Sequence, residues 1–178
     1  MNNRAAIILL AFLLIPQTGK AQISFDPGEG CLNVVDFAAA KGLDEYHGHV
    51  FSVQYLHERF INEQFCVGAG VGYSYLGGYD FSALPLFFSA HYFFLDRRFS
   101  PFVNLRTGVY FPFGSKEKQS GVNLYVAPGA GLKVHLTPHF GIMASVNYDG
   151  YLKKGPDALK MASALGAGIG LCFQIPGW

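Results

Sequence analysis

Residues 65–75 read FCVGAGVGYSY, and their alternation decides the fold. Phe65, Val67, Ala69, Val71, Tyr73 and Tyr75 are apolar or aromatic, whereas Cys66, Gly68, Gly70, Gly72 and Ser74 are small. A period of two is the signature of a β-strand with two unlike faces. Here one face is a broad apolar wall with aromatic ends, and the other carries almost no side chain. Several such strands behind an export signal predict a barrel whose apolar face points outward.

Working outward from this stretch, the rest of the chain agrees. Eight strands are predicted, at about 31–40, 48–58, 64–75, 82–94, 99–111, 122–136, 139–149 and 162–175. Each is long enough for the roughly 9–11 tilted residues that cross a bilayer, and an even count is usual for single-chain membrane barrels. The connections at 59–63, 95–98 and 137–138 are tight. Those at 41–47, 76–81, 112–121 and 150–161 are longer and richer in Gly, Lys, Asp and Ser. Short turns on one rim and long loops on the other place both ends of the barrel on the short-turn side.

Composition points the same way. The chain has 178 residues, enough for one domain, and is 51% hydrophobic but only 14% charged. Soluble domains carry about a quarter charged residues, yet no apolar run here reaches the roughly 18 residues of a spanning helix. Short membrane strands reconcile the two facts. At the N-terminus, Arg4 precedes an apolar run of 11 residues (5–15), and Gly19 and Ala21 supply the small residues before a cut. This is the pattern of a secretory signal peptide, residues 1–21, cleaved before Gln22. Residues 22–178 are then the barrel. Without the leader, Lys and Arg fall from 13 to 11 against 12 acidic residues, a net charge of −1, so nothing suggests a nucleic-acid partner.

The strand faces locate the candidate site. Phe51, Val53 and Tyr55 of the second strand oppose Ser52, Gln54 and Glu58. The fourth opposes Leu84, Leu86, Phe88, Ala90 and Tyr92 to Ser89 and His91. The fifth opposes Val103, Leu105 and Val109 to Asn104, Arg106 and Gly108. In the sixth and seventh, Lys133, His135 and Asp149 lie opposite the apolar positions. Every ionisable residue of strands two to seven is therefore expected on the inner face, because a Lys or Arg facing lipid at mid-bilayer costs about 2–4 kcal/mol. Only a closed sheet satisfies the backbone in lipid. In the first strand Asp36 is expected inside and Asn33 near a rim. Aromatics eight residues apart on one face, Phe65 with Tyr73 and Phe140 with Tyr148, mark the two rims. Pro85 and Pro128 predict bulges or rim positions, since proline lacks a ladder donor.

An eight-stranded lumen is just wide enough for side chains. Glu58, His91, Arg106, Lys133, His135 and Asp149 are the candidate polar network, read as a plug of charge pairs, with a narrow channel as the alternative. The inward glycines of the third, sixth and eighth strands either make room for Phe102, Tyr110 and Tyr125 or leave a cavity. In the long loops, Lys116, Lys118, Lys153, Lys154 and Lys160 could meet anionic headgroups. No metal or cofactor site is expected. The three cysteines (Cys31, Cys66, Cys172) match no zinc spacing, and the pair His47 and His49 supplies too few ligands. A Cys31–Cys172 disulfide is disfavoured, because the two lie on opposite faces.

The export signal, the eight strands and stretches such as HERFINEQFCVGAGVGYSY (57–75) and KVHLTPHFGIMASVNY (133–148) resemble the small outer-membrane β-barrel proteins of Gram-negative bacteria, the porin-family or OmpA-like barrel domains. The final strand, ending LCFQI with Phe173, is similar to the aromatic-bearing C-terminal strand that such proteins present for assembly. The resemblance implies an all-β, eight-stranded antiparallel transmembrane barrel in the cell outer membrane. It also implies insertion by the barrel-assembly machinery, contact with outer-membrane lipid and lipopolysaccharide, a monomer, and a structural or surface-binding role. Around strands five to seven the chain also resembles the eight-stranded lipid A deacylases, the alternative as a lipid-modifying enzyme. Those carry a His-x-Ser pair near the outer end of the seventh strand. Here the comparable residues are Asn147, Tyr148, Asp149 and Gly150, with neither nucleophile nor base, so the expectation is no enzyme activity.

Overall fold

The computed structural model describes residues 30–43, 48–77, 81–95, 97–114, 123–154 and 159–175. The leader, His47, Lys116 and Lys118 lie outside the described residues, as do the side chains of Lys153, Lys154 and Lys160.

Eight strands form one closed antiparallel up-and-down barrel: β1 (Cys31–Gly42), β2 (His49–Phe60), β3 (Phe65–Leu76), β4 (Phe81–Phe93), β5 (Phe99–Phe113), β6 (Asn123–His135), β7 (Phe140–Lys154) and β8 (Leu159–Ile175), with β8 pairing back to β1. Tight turns join β2 to β3, β4 to β5 and β6 to β7. In the first, Asn62 Oδ1 accepts from the amides of Gln64 and Phe65 at 2.9 and 2.8 Å. In the third, Thr137 Oγ1 accepts from the Phe140 amide at 3.0 Å. These short polar side chains replace a turn's missing backbone partners.

Each ladder keeps one register along its whole length. Register partners can be followed once round the barrel, from Val103 to Ala130, Val146, Ala167, Ala39, Phe51, Tyr75, Ser82 and Phe113. The path returns to β5 ten residues further along. That stagger tilts the strands by about 35–45° and sets a narrow lumen.

The prolines correct one expectation. Neither makes a bulge. At Pro85 the β3–β4 pairing stops after Val71–Leu86 and resumes at Ser74–Ala83 in unchanged register. At Pro128 the β6–β7 ladder skips from Val126–Gly150 to Gly129–Asn147. Each proline drops pairs on one side only and keeps its partner on the other, Tyr110 for Pro85 and Leu105 for Pro128. A missing donor thus opens the ladder locally without shifting it.

The connection expected at 150–161 is also largely strand. The β7–β8 ladder runs from Phe140–Phe173 to Lys154–Leu159, with Lys153 opposite Lys160. Polar residues read as loop because they break the apolar alternation, but a hairpin that has passed beyond an apolar layer has no need of that alternation.

The two faces are as unlike as the opening stretch predicts. Outward side chains include Phe51, Leu86, Val103 and Ile169, all exposed, with Phe88 at 73%. Aromatics crowd both rims. Phe140 meets Phe173 at 5.0 Å and Tyr92 meets Phe94 edge-on at 5.2 Å on the short-turn side, and Tyr73 meets Phe113 at 6.0 Å on the other. Asp36 is buried inside and Asn33 lies on the outer face near the short-turn rim, as expected. The rule that every ionisable side chain of strands two to seven points inward fails at His49 and His57, both exposed on the outer face; Arg59, carried by the longer β2, joins them. His49 opens β2, where the rim relieves the cost, whereas His57 has a polar neighbour on the same face, described below.

Candidate functional site

Parity brings five of the six predicted lumen residues into the interior. Glu58, His91, Arg106, Lys133 and Asp149 are all buried, whereas His135 is half-buried at the short-turn rim. They fall into two groups rather than one network.

The central group crosses the lumen. Arg106 on β5 pairs with Asp36 on β1 across the barrel, Nη2 to Oδ2 at 2.9 Å, and its Nη1 donates to Gln54 Oε1 on β2 at 2.9 Å. Gln54 Nε2 donates to the Tyr125 hydroxyl on β6 at 3.3 Å, and that hydroxyl donates to Asp149 Oδ1 on β7 at 2.9 Å. Two carboxylates, an amide, a phenol and a guanidinium from five strands thus form one continuous chain. A buried ion survives only with partners, and the chain supplies them. Asp36, Gln54 and Tyr125 were not among the predicted network. Strand parity alone marks all three as inward; their partners depend on the barrel's closure.

The second group lies towards the short-turn rim. Cys66 on β3 and His91 on β4 are register partners, and Glu58 on β2 reaches both. His91 Nδ1 lies 2.8 Å from Glu58 Oε1, and Cys66 Sγ donates to Glu58 Oε2 at 3.1 Å. Phe93 stacks on the His91 ring at 5.9 Å, Phe102 meets it at 5.3 Å, and Lys133 Nζ sits 5.1 Å from the Phe93 ring. The three donor atoms lie within 4.8 Å of one another, close enough to share a metal ion. The carboxylate's two oxygens bond to the other two members of the set, and the Lys133 cation sits over the Phe93 ring that stacks on His91, a nearby positive charge that would oppose a divalent ion. Nor is it a nucleophile with its base. The thiol's partner is the carboxylate rather than the imidazole, and all three groups are fully buried.

Aromatic side chains occupy the other end. Tyr125 packs on Phe87 at 5.7 Å and on Tyr151 at 5.3 Å, Tyr151 meets Tyr110 edge-on at 5.3 Å, and the Tyr151 hydroxyl donates to Ser74 Oγ at 3.2 Å.

Three inward glycines sit where a register partner is bulky. A Cβ at Gly70 would lie 2.6 Å from the ring of its partner Phe87, and one at Gly131 would lie 2.6 Å from the ring of its partner Phe102. At Gly72 the intruder would be Gln54, again its partner, at 2.7 Å. At these three positions, absence of a side chain on one strand accommodates a large one on the next, so they leave no space; in β8, Gly166 and Gly168 instead face the small Ala40 and Ala38.

All three cysteines are free thiols; Cys31 is on the outer face, and Cys66 and Cys172 are buried inside. Cys172 pairs with Val34 rather than Cys31, so register and face both oppose a bridge.

No protein-family model matches the chain, and no curated protein sequence matches it. Solved structures do. Neisserial surface protein A is 19% identical with a TM-score of 0.66, covering 82% of this chain and 97% of its own. The outer membrane enzyme PagL is 18% identical with a TM-score of 0.61, over 77% and 97%. The outer membrane protein OprG from Pseudomonas aeruginosa is 12% identical with a TM-score of 0.55, over 84% and 98%. The chain therefore has the fold of the eight-stranded outer-membrane β-barrels. These neighbours differ in role, one being an enzyme, so the fold does not choose among their activities.

Proposed function

We propose that the protein is an integral outer-membrane barrel, exported through a cleaved leader, with a structural or surface-binding role, no open pore and no catalysis. The observation that carries this reading is the continuous chain Asp36–Arg106–Gln54–Tyr125–Asp149 across the lumen, with aromatic packing on either side. An ion on its way through would have to break a buried ion pair and displace packed rings. Outside, the apolar wall between two aromatic belts matches the oily layer of a membrane. At the long-loop rim, Lys116, Lys118, Lys153, Lys154 and Lys160 face lipopolysaccharide phosphates in this reading.

Single-channel recording of the refolded protein in planar bilayers tests the closed lumen: no stepwise conductance is expected, and reproducible unitary openings would contradict it. Fractionation should place the protein in the outer membrane with heat-modifiable gel mobility, and recovery as a soluble periplasmic protein would sink the membrane reading. Mass spectra of lipid A should be the same with and without the protein; a new, protein-dependent lipid A species would restore the enzyme.

A further inference from the structure

The outer wall carries a feature that a simple apolar belt does not need. His57 and Arg59 face outward on β2, and beside them the wall dips into a groove of about 620 Å³, floored by Ala69 and Ala90 and the backbone of Gly68, and flanked by Phe88 and Leu105. We propose that this groove holds one glycerophospholipid of the leaflet on the short-turn side, its phosphate on Arg59 and His57 and one acyl chain along the alanines.

The register gives the groove its direction. Arg59 pairs with Val67, Val67 with Ala90, and Ala90 with Leu105, so these four form one row across the outside of β2 to β5. Arg59 is one residue from the short-turn end of its strand, Val67 two, Ala90 three and Leu105 six. The row therefore climbs from the rim towards the middle of the wall, a consequence of the stagger that closes the barrel. Six residues at about 3.3 Å each, tilted by about 40°, give a depth of roughly 15 Å. A lipid has that polarity: charge at the rim, hydrocarbon inward.

The polar end is built rather than incidental. Asn33 Oδ1 accepts from the Tyr55 hydroxyl at 2.8 Å and from His57 Nδ1 at 2.8 Å. Asn33 is the register partner of His57, so the ring is held from the neighbouring strand. No carboxylate pairs with Arg59 among the described residues. Two basic groups at one rim, over an apolar groove with small residues for a floor, favour a phosphate-bearing lipid over a second apolar protein wall. Lipopolysaccharide belongs to the opposite rim.

The inference rests on the membrane reading above, and its test uses purified protein in detergent, so it can fail while that reading stands. Native mass spectrometry with added dioleoylphosphatidylglycerol should show one tightly held lipid per barrel. Arg59→Gln should weaken that adduct about tenfold, the scale of one charge-assisted hydrogen bond. Ala90→Leu, which fills the floor with an apolar side chain and keeps both basic groups, should weaken it comparably. Arg97→Gln, in the β4–β5 turn, should leave it unchanged. Heat-modifiable mobility confirms that each variant is folded. An adduct indifferent to Arg59→Gln or to Ala90→Leu overturns the proposal, as does equal loss with Arg97→Gln. A protein dimer abolished by the same groove substitutions would assign the face to a second copy instead.

Discussion

The inner and outer faces of one β2 strand solve the same electrostatic problem in opposite ways. Glu58, facing in, has its two oxygens on His91 and Cys66 and no exposed surface. Arg59, the next residue, faces out with no carboxylate partner among the described residues. Inside, charge is tolerated because a protein group answers it. Outside, charge is tolerated only close to the rim, where a lipid phosphate or water can answer it. Face and depth, rather than residue type, decide where an ionisable group can sit in this wall.

The largest expected effect comes from breaking the inner solution. Arg106→Met leaves Asp36 and Gln54 without their partner and should destabilise the barrel by about 3–5 kcal/mol, the cost of orphaning a buried ion. Unfolding by urea in lipid vesicles, followed by heat-modifiable mobility, measures it. A loss below the scatter of neutral surface variants would show that water already reaches the pair. Adding a charge to the outer face at mid-wall comes next. Leu86→Lys should cost about 2–4 kcal/mol, whereas Ile175→Lys, at the rim end of β8, should cost about 0–1 kcal/mol. Equal costs at the two depths would break the depth argument.

A third substitution tests how the lumen is filled. Gly131→Val drives a methyl-bearing carbon against both the Ala144 carbonyl and the Phe102 ring and should cost about 1–3 kcal/mol or more by overpacking. Pairing it with Phe102→Ala should recover only the part of that loss that the ring causes, since the Ala144 carbonyl stays in place. If the double variant is as unstable as the sum of the two, the glycine is there for its backbone and not for its neighbour. The smallest effect should be Phe88→Ala. Its ring is among the most exposed of the described residues, so removing it exchanges contacts with lipid for other contacts with lipid, and the change should stay below about 1 kcal/mol.

Much of this was legible in the sequence. FCVGAGVGYSY fixed a strand with a bulky face and a bare one, and extending that parity to other strands placed Asp36, Glu58, His91, Arg106, Lys133 and Asp149 inside. His57 follows its odd-numbered neighbours Phe51, Val53 and Tyr55 to the outer face, against what its charge alone would suggest. Its tolerance on that face depends on Asn33, 24 residues away in sequence and adjacent only through the β1–β2 register. The division of the lumen into two groups was illegible for the same reason. Which inward residues meet depends on the ten-residue stagger, and no single strand contains that number. The glycines needed register too: Gly70 and Phe87 reveal themselves as a large-and-small pair only once their strands are aligned.

The central claim is that this wall is a two-sided sheet with lipid on its bulky face. In a background with Cys31, Cys66 and Cys172 replaced by serine, single cysteines at positions 65 to 75 can be spin-labelled one at a time in vesicles. Their collision rates with oxygen, which concentrates in the bilayer, can then be recorded. High rates at odd positions and low rates at even positions, repeating every two residues, are predicted. High rates at Gly68, Gly70 and Gly72 with low rates at Val67, Ala69 and Val71 would invert the barrel and contradict the account.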